Sequence, residues 1–293
     1  MIKIKVPGTS ANIGPGFDAL GLALNVYNSF IFKEIPYGLE IIGSNKAFAN
    51  ERNLVYRSML EVFNRIGYSP KGIRVEMNAD IPISRGLGSS AACILGGVMG
   101  ANELSGSPLT REEVLEIATE IEGHPDNIAP ALFGGLVVSI MEDKKVFYNK
   151  INVYPGIKFV ALIPDFTLST KEARAVLPST ISYKDAVYNV GRVSLLLSSL
   201  SNGRFELLKH GVKDSLHQQY RGNLIPRFFD IFNKCDEIGS LGIYLSGAGP
   251  TIMAIIDEND NKFVTEISNY LNSINYHWNI REFRLDLQGA LIL

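Results

Sequence analysis

Four short stretches hold the residues whose types and spacing could do chemistry. The most informative runs from Asp80 to Ala92, DIPISRGLGSSAA. Gly86 and Gly88 lack a Cβ, so the backbone can turn through positive φ there and approach a ligand closely. Ser89 and Ser90 follow, where an apolar run of helical spacing begins. A helix start offers unpaired N–H groups and the positive end of the helix dipole, which together bind an anion such as phosphate. A tight turn capped by Ser89 or Ser90, with no ligand, uses the same residues.

The second stretch, SGAGPT at 246–251, is either a plain tight hairpin or a second backbone nest facing the first loop. The third, PGTSANIGPGFDALGLAL, sets Asn12 and Asp18 around Gly14, Pro15 and Gly16. An aspartate beside glycines commonly makes a turn, whereas in a cleft Asp18 could bind an ammonium and Asn12 a hydroxyl or amine. The fourth, GHPDNIAP at 123–130, packs His124, Asp126 and Asn127 behind a helix end, where Asp126 or Asn127 either caps the next helix or binds. The P-loop pattern, the H-E-x-x-H zinc motif, the G-x-S-x-G elbow and the kinase H-R-D do not occur. With only four histidines, a multi-histidine metal site is not expected. Cys93 and Cys235 lie far apart, which argues against a disulfide framework, and Cys93 reads as a small packed residue.

These stretches need elements to hold them. IRVEMNAD alternates, with Ile73, Val75, Met77 and Ala79 on one face, and predicts a strand before the Gly-rich loop. SSAACILGGVMGANEL predicts the helix after it. Strands IKIKVPG and NSFIFKEI and a helix NLVYRSMLEVFNRIG precede them. SPLTREEVLEIATEIEG reads as a helix opened by a Thr110–Glu113 capping box and closed by Gly123. Val114, Leu115, Ala118 and Ile121 make its apolar stripe; Glu112, Glu116 and Glu120 share the opposite one, as a solvated face would. GGLVVSI and KVFYNKI predict a hairpin. From about Pro155 the pattern restarts with the strand IKFVALIP, helices near STKEARAVL and DAVYNVGRVSLLLSSL, further helices at 203–211 and 223–239, and two strands around the second Gly-rich turn. A helix and a last strand close the chain, and a soft domain boundary falls near 150–157.

The 293 residues suffice for one large or two medium domains with real cores. A net charge of −2 gives no reason to expect a nucleic-acid partner. The apolar stretch AACILGGVMGA is too short for a membrane span, and MIKIKVPG starts as a strand without a signal-peptide core. A cytoplasmic protein is the expectation.

Taken together, IPISRGLGSSAA, SANIGPGFDALGLAL, EGHPDNIAPALFGG and SGAGPT resemble the GHMP small-molecule kinases, and in particular the branch acting on L-homoserine. The likeness runs over nearly the whole chain in the family's order. It implies an α+β, two-domain GHMP kinase fold, with an N-terminal ribosomal protein S5 domain 2-like part (1–154) and a ferredoxin-like C-terminal part (155–293). It further implies ATP and Mg²⁺, with phosphoryl transfer to L-homoserine giving ADP and O-phospho-L-homoserine in threonine biosynthesis. A homodimer is expected on the same ground.

Carried over position by position, the resemblance puts Ile83, Ser84, Arg85, Gly86, Leu87, Gly88, Ser89, Ser90, Ala91, Ala92 and Cys93 around the ATP phosphates. Ser90, or else Ser89, would bind Mg²⁺ together with a helix glutamate. Gapless counting back from His124 gives Glu116, with Glu120 and Glu122 as alternatives. ERNLVYRSM resembles the adenine-pocket segment, with Asn53 at the base. Asn12, Asp18, His124, Asn127, Thr170, Arg174 and Arg221 match amino-acid-binding positions. Asp18 suits an ammonium, and the planar guanidinium forks of Arg174 and Arg221 suit a carboxylate. Many relatives carry an aspartate where this chain has Asn127, whose amide cannot take a proton. No dedicated protein base is therefore expected, with Asp126 the one nearby carboxylate that could act instead. A relative with a mevalonate or sugar acceptor would not need both an ammonium partner and two arginines. A non-catalytic relative would have a broken loop or lost ligands, which this chain does not have.

Overall fold

The computed structural model describes residues 1–43 and 48–293. Two sheets organise it. The first is built from β1 (Ile2–Ala11), β2 (Leu20–Glu34), β3 (Gly38–Ile42), β4 (Gly72–Ala79), β5 (Leu136–Glu142) and β6 (Lys145–Ile151). β2 is 15 residues long and changes partner along its length. Its Asn28–Glu34 end pairs with β4, while Leu20–Leu22 pair with β5, which continues into the expected hairpin with β6. Among the described residues, only the β3–β4 pair of this sheet is parallel. The helices of this half are α1 (Leu54–Ile66), α2 (Ser89–Leu104), α3 (Arg111–Glu122) and α4 (Pro125–Phe133).

α2 packs directly against β2 and α1, and its glycines make this possible. A Cβ on Gly96 or Gly100 would stand 2.5 Å from the rings of Phe30 and Phe32 respectively, and one on Gly97 would stand 2.3 Å from the Val55 carbonyl. Small residues therefore bring the helix that carries the Gly-rich loop within backbone distance of its neighbours. The Thr110–Glu113 capping box forms as expected, and Gly123 closes α3 in the left-handed region.

The second half contains β7 (Ile157–Ile163), α5 (Thr170–Ala175), α6 (Tyr183–Asn202), α7 (Leu208–Gly211), α8 (Gln218–Arg221), α9 (Phe228–Glu237), β8 (Gly242–Leu245), β9 (Ile252–Asp257), α10 (Phe263–Ser273) and β10 (Asn279–Phe283). Its sheet runs β10-β7-β9-β8, all antiparallel. Counting these four strands in chain order gives 4-1-3-2, the ferredoxin-like arrangement that the resemblance implied. β7 is apolar from Phe159 to Ile163 because both faces are covered there, and its one charged residue, Lys158, is paired with Glu282 at 2.8 Å. Phe159, Ala161 and Ile163 enter a core shared with the first sheet, and Val160 and Leu162 enter a second core under α9 and α10.

Three expectations differ from the fold. The last strand, β11 (Leu291–Ile292), returns to pair with β1, and Leu24 bridges Leu285. A division at 154/155 therefore assigns to the second half a tail that completes the first sheet. The helix expected at 223–239 begins at Phe228, because Pro226 forces Ile225 into an extended conformation. The segment 203–211 divides into a 3-10 turn at Phe205–Leu207 and α7.

Candidate active site

The loop between β4 and α2 is shaped by its two glycines. Gly86 and Gly88 hold φ of 73° and 70°. A Cβ on Gly88 would lie 2.0 Å from Thr9 Oγ1, and one on Gly86 would lie 2.3 Å from the Ser246 carbonyl. Gly88, rather than Ser89 or Ser90, is the N-cap of α2, and no side chain caps this helix. The first-turn N–H groups are thus left for a ligand, and the Ser90 hydroxyl is turned to other work. Leu87, Ala91 and Ala92 are fully buried, so of the eleven loop positions these three contribute backbone and packing only.

The second Gly-rich turn sits directly against the first. Ser246 Oγ donates to the Gly86 carbonyl at 2.6 Å, and Gly247 N–H donates to the Ala11 carbonyl at 3.0 Å. Asn12 extends the seam: its Nδ2 donates to Gly247 O at 2.8 Å and its Oδ1 accepts from Asp18 N–H at 3.0 Å. Most of the hydrogen-bonding capacity of Asn12 thus holds the two turns and Asp18 in register. Arg85 is likewise anchored on backbone, donating to Pro164 O at 2.9 Å, to Ile83 O at 3.0 Å and to Asp165 O.

These turns border one cleft of about 490 Å³. Asn12, Asp18, Asn53, Ile83, Ser84, Arg85, Gly86, Gly88, Ser89, Ser90, Cys93, His124, Asn127, Thr170, Arg174 and Arg221 all line it. Glu116 does not. It lies with Arg65, Glu120 and Lys144 around a separate surface depression, and Glu120 is paired with Arg65 at 2.9 Å. The glutamate that faces Ser90 is Glu122, whose Oε2 accepts the Ser90 hydroxyl at 2.9 Å. The reason is helical: six residues turn a side chain by roughly 240° net, so Glu116 and Glu122 cannot share a face. Gapless counting fails because α3 ends at Glu122, only two residues before His124.

Burial pushes the Glu122 carboxyl above its ordinary value; His124 and the Ser90 hydroxyl oppose this, and Asp126 adds to it. Burial alone would lower His124, but its hydrogen bond to Asp126, with the charges of Asp126, Glu122 and Asp18, prevails and raises it. Cys93, beside Ser90, is pushed up to about 11 by burial and by Glu122, so it is a packed thiol and not a nucleophile. Asn127 Oδ1 accepts from Thr9 Oγ1 at 2.7 Å, and its Nδ2 donates to Asp126 at 3.3 Å.

At the other end of the cleft, Arg174 and Asp18 form a two-point pair at 2.8 and 2.9 Å, both about two-fifths exposed. α5, which carries Arg174, is opened by a Ser169–Glu172 capping box. Arg221 is 2% exposed, and burial, reinforced by Arg174, lowers its pKa to about 10. The Phe17 ring lies beneath both guanidiniums, 5.7 Å from Arg174 and 5.1 Å from Arg221. Phe48, Leu54, Met77 and Ile83 give the rim an apolar stretch, with Arg52 beside it. Asn53 stands there as the N-cap of α1, accepting from Val55 and Tyr56 N–H and donating to Phe48 O. Its polar atoms are committed, so hydrogen bonding to a base would fall to backbone groups. Sequence reasoning missed Phe17 and the Gly247 peptide. GPGFDA did display the former, as an aromatic wedged among glycines beside Asp18.

With this geometry in hand, comparison with known proteins is specific. The family model for the GHMP kinases N terminal domain matches residues 53–135, and that for GHMP kinases C terminal matches 196–272. Homoserine kinase of Clostridium botulinum (strain Okra / Type B1) is 51% identical over 292 residues, covering 100% of this chain and 98% of that protein. Homoserine kinase of Clostridium beijerinckii is 53% identical over 294 residues, covering 100% and 99%. The crystal structure of homoserine kinase from Cytophaga hutchinsonii superposes with a TM-score of 0.89 at 29% identity, covering 100% of this chain and 97% of that one. The chain belongs to the GHMP kinase family, on the branch of the homoserine kinases.

Proposed function

We propose that the protein transfers the γ-phosphoryl group of ATP to the side-chain hydroxyl of L-homoserine, giving O-phospho-L-homoserine and ADP, as a step of threonine biosynthesis. One observation carries this reading. A helix start with free N–H groups shares a single cleft with an acidic and doubly basic pocket that matches an amino acid's ammonium and carboxylate. The apolar rim at Phe48, Leu54 and Met77 suits a nucleobase, and the amides around Gly86 and Gly88 suit phosphates. Asp18 is assigned to the ammonium, and Arg174 and Arg221 to the carboxylate.

Ser90 and Glu122 fit Mg²⁺. They are hard oxygen donors, already adjacent, and a cation would relieve the burial that raises Glu122. When bound with nucleotide, Mg²⁺ supplies neutralisation of charge on the phosphate oxygens. No second carboxylate is required, because Mg²⁺ is commonly bound through one or two carboxylates plus substrate phosphates and water.

The chain's own contribution is positioning and fixed charge. Asn127 cannot accept a proton, and Asp126 is 2% exposed with one oxygen engaged by His124 and Asn127. Phosphoryl transfer through a loose transition state places little demand on a base, so orienting the hydroxyl and stabilising the transferred group suffice. The His124 imidazole lines the cleft and is held by Asp126, whose hydrogen bond and charge raise its pKa and so favour its cationic form. The test is Asn127→Asp, with phosphomonoester formation followed by ³¹P NMR. Activity within about tenfold of the parent is expected; a gain larger than that, on the scale of general-base catalysis, would show that a missing base had been limiting.

Among the described residues no helix is long and apolar enough to cross a membrane. A cytoplasmic setting and a homodimer are part of the proposal, and they rest on family membership.

A further inference from the structure

One fully buried titratable side chain behind the cleft wall is unused in the reading above. His217 is 0% exposed and precedes α8, whose last residue, Arg221, lies four positions on. Its Nε2 lies 2.8 Å from the Gly14 carbonyl. A carbonyl only accepts, so this ring nitrogen carries the proton and Nδ1 is left as an acceptor. Arg221 Nη1 donates toward that Nδ1 at 3.3 Å. The same Nη1 donates to Gly247 O at 3.1 Å, and Arg221 Nε donates to Ala173 O at 3.1 Å. The Phe17 ring stacks on the imidazole with centroids 5.1 Å apart and also lies under the guanidinium. Among the described residues, Nη2 has no hydrogen-bond partner, and Arg221 lines the cleft.

We infer that His217 is a positioning residue: its neutral imidazole holds the Arg221 guanidinium in the orientation in which Nη2 meets the carboxylate of the acceptor. This rests on the amino-acid-kinase reading above. An arginine on a long side chain binds a carboxylate well only when its plane is fixed in advance. Here two carbonyls, one ring nitrogen and one aromatic face fix it. The charged groups facing His217 are Arg221 on α8, Asp214 with Oδ2 at 3.8 Å before α8, and Asp18 in the loop after β1. Asp214 is already accepting from the N–H groups of Leu216, His217 and Gln218. Burial and Arg221 keep the ring neutral against Asp214, Gly14 and Asp18. Acid would protonate Nδ1, remove the acceptor and set a like charge against Arg221.

The experiment compares L-homoserine with the diol in which CH₂OH replaces its carboxylate, measuring KM, or Ki for the diol if it is not turned over. His217→Phe keeps the stack and the volume but has no acceptor. It should raise the L-homoserine KM by roughly tenfold, leave kcat within about twofold, and leave the diol constant unchanged. His217→Asn, whose Oδ1 can replace Nδ1, should recover most of the loss. In the unsubstituted protein the homoserine-to-diol ratio should climb only as pH falls below the ordinary histidine value of about 6.5, because burial and Arg221 lower His217, and in H217N it should stay flat. Equal effects on both compounds, or no effect of H217F, would overturn the assignment. If H217F does not fold, H217N and the pH comparison decide, and a flat ratio in the unsubstituted protein overturns it. Failure of that protein to act on L-homoserine, with turnover of another acceptor, overturns the kinase reading and this inference with it. That outcome is distinct from an H217F effect shared by both compounds.

Discussion

Exchanging Glu122 for glutamine, with Glu116→Gln as its partner experiment, probes the account where structure and alignment part. Glutamine keeps the size of Glu122 and an oxygen able to accept from Ser90, whose hydroxyl stands 2.9 Å away. What it loses is the charge. The assigned role of Glu122 is to hold Mg²⁺ against the phosphates, and losing one preorganised source of transition-state charge stabilisation costs about 2.7–4 kcal/mol, roughly 10²- to 10³-fold in rate. We expect kcat/KM for L-homoserine to fall by roughly that factor in E122Q, with a weaker dependence on Mg²⁺ concentration. The fold should not suffer, because burial already penalises the Glu122 carboxylate. The melting temperature in the absence of ligand should therefore hold or rise. Glu116 lies outside the cleft beside Arg65 and Lys144, so E116Q should stay within about twofold of the parent. The assay is coupled ADP release over a Mg²⁺ titration, run beside thermal melts. Loss of activity in E116Q with E122Q unaffected would refute the assignment and the helical geometry behind it.

Arg174→Ala should raise the L-homoserine KM. One charged hydrogen bond is worth about 1.5–3 kcal/mol, or roughly 10- to 150-fold, and partial exposure places the effect at the lower end; unchanged kinetics would remove Arg174 from the pocket. His124 is raised above its ordinary value by Asp126, so its contribution to stability is complete below about pH 6.5 and is lost as pH rises through the higher folded value. Melting temperature against pH should therefore show a decline in that window, and Asp126→Asn should flatten it. Gly88→Ala puts a Cβ 2.0 Å from Thr9 Oγ1 at a φ of 70°, so nucleotide affinity and stability should both fall, the latter by about 1–3 kcal/mol; a variant with normal melting and normal ATP binding would contradict the account of the loop.

Much of this architecture was legible in the sequence because its signals are local. The alternation of Ile73, Val75 and Met77, the Thr110–Glu113 box and the hairpin at 136–151 depend on neighbours a few residues away. What escaped depends on distance in the chain or on angle around a helix. Leu291 and Ile292 pair with β1 almost 290 positions earlier, and nothing local announces it. The face occupied by Glu122 is set by where α3 stops, which counting along the sequence ignores. Ser89 and Ser90 looked like caps because serine commonly caps, yet Gly88 takes that place and leaves the helix start open. The same open start is what makes the loop an anion site, so the failed local rule and the function share one cause.

The central claim is that this cleft phosphorylates the hydroxyl of an amino acid. Its most direct test is ADP release from Mg·ATP by the purified protein, measured as kcat/KM across L-homoserine, D-homoserine, L-serine, mevalonate and galactose. The account predicts strong turnover with L-homoserine alone: mevalonate and galactose lack the ammonium for Asp18, the hydroxyl of L-serine is one carbon short, and D-homoserine inverts the arrangement about the α-carbon. Comparable turnover with mevalonate or galactose would contradict it.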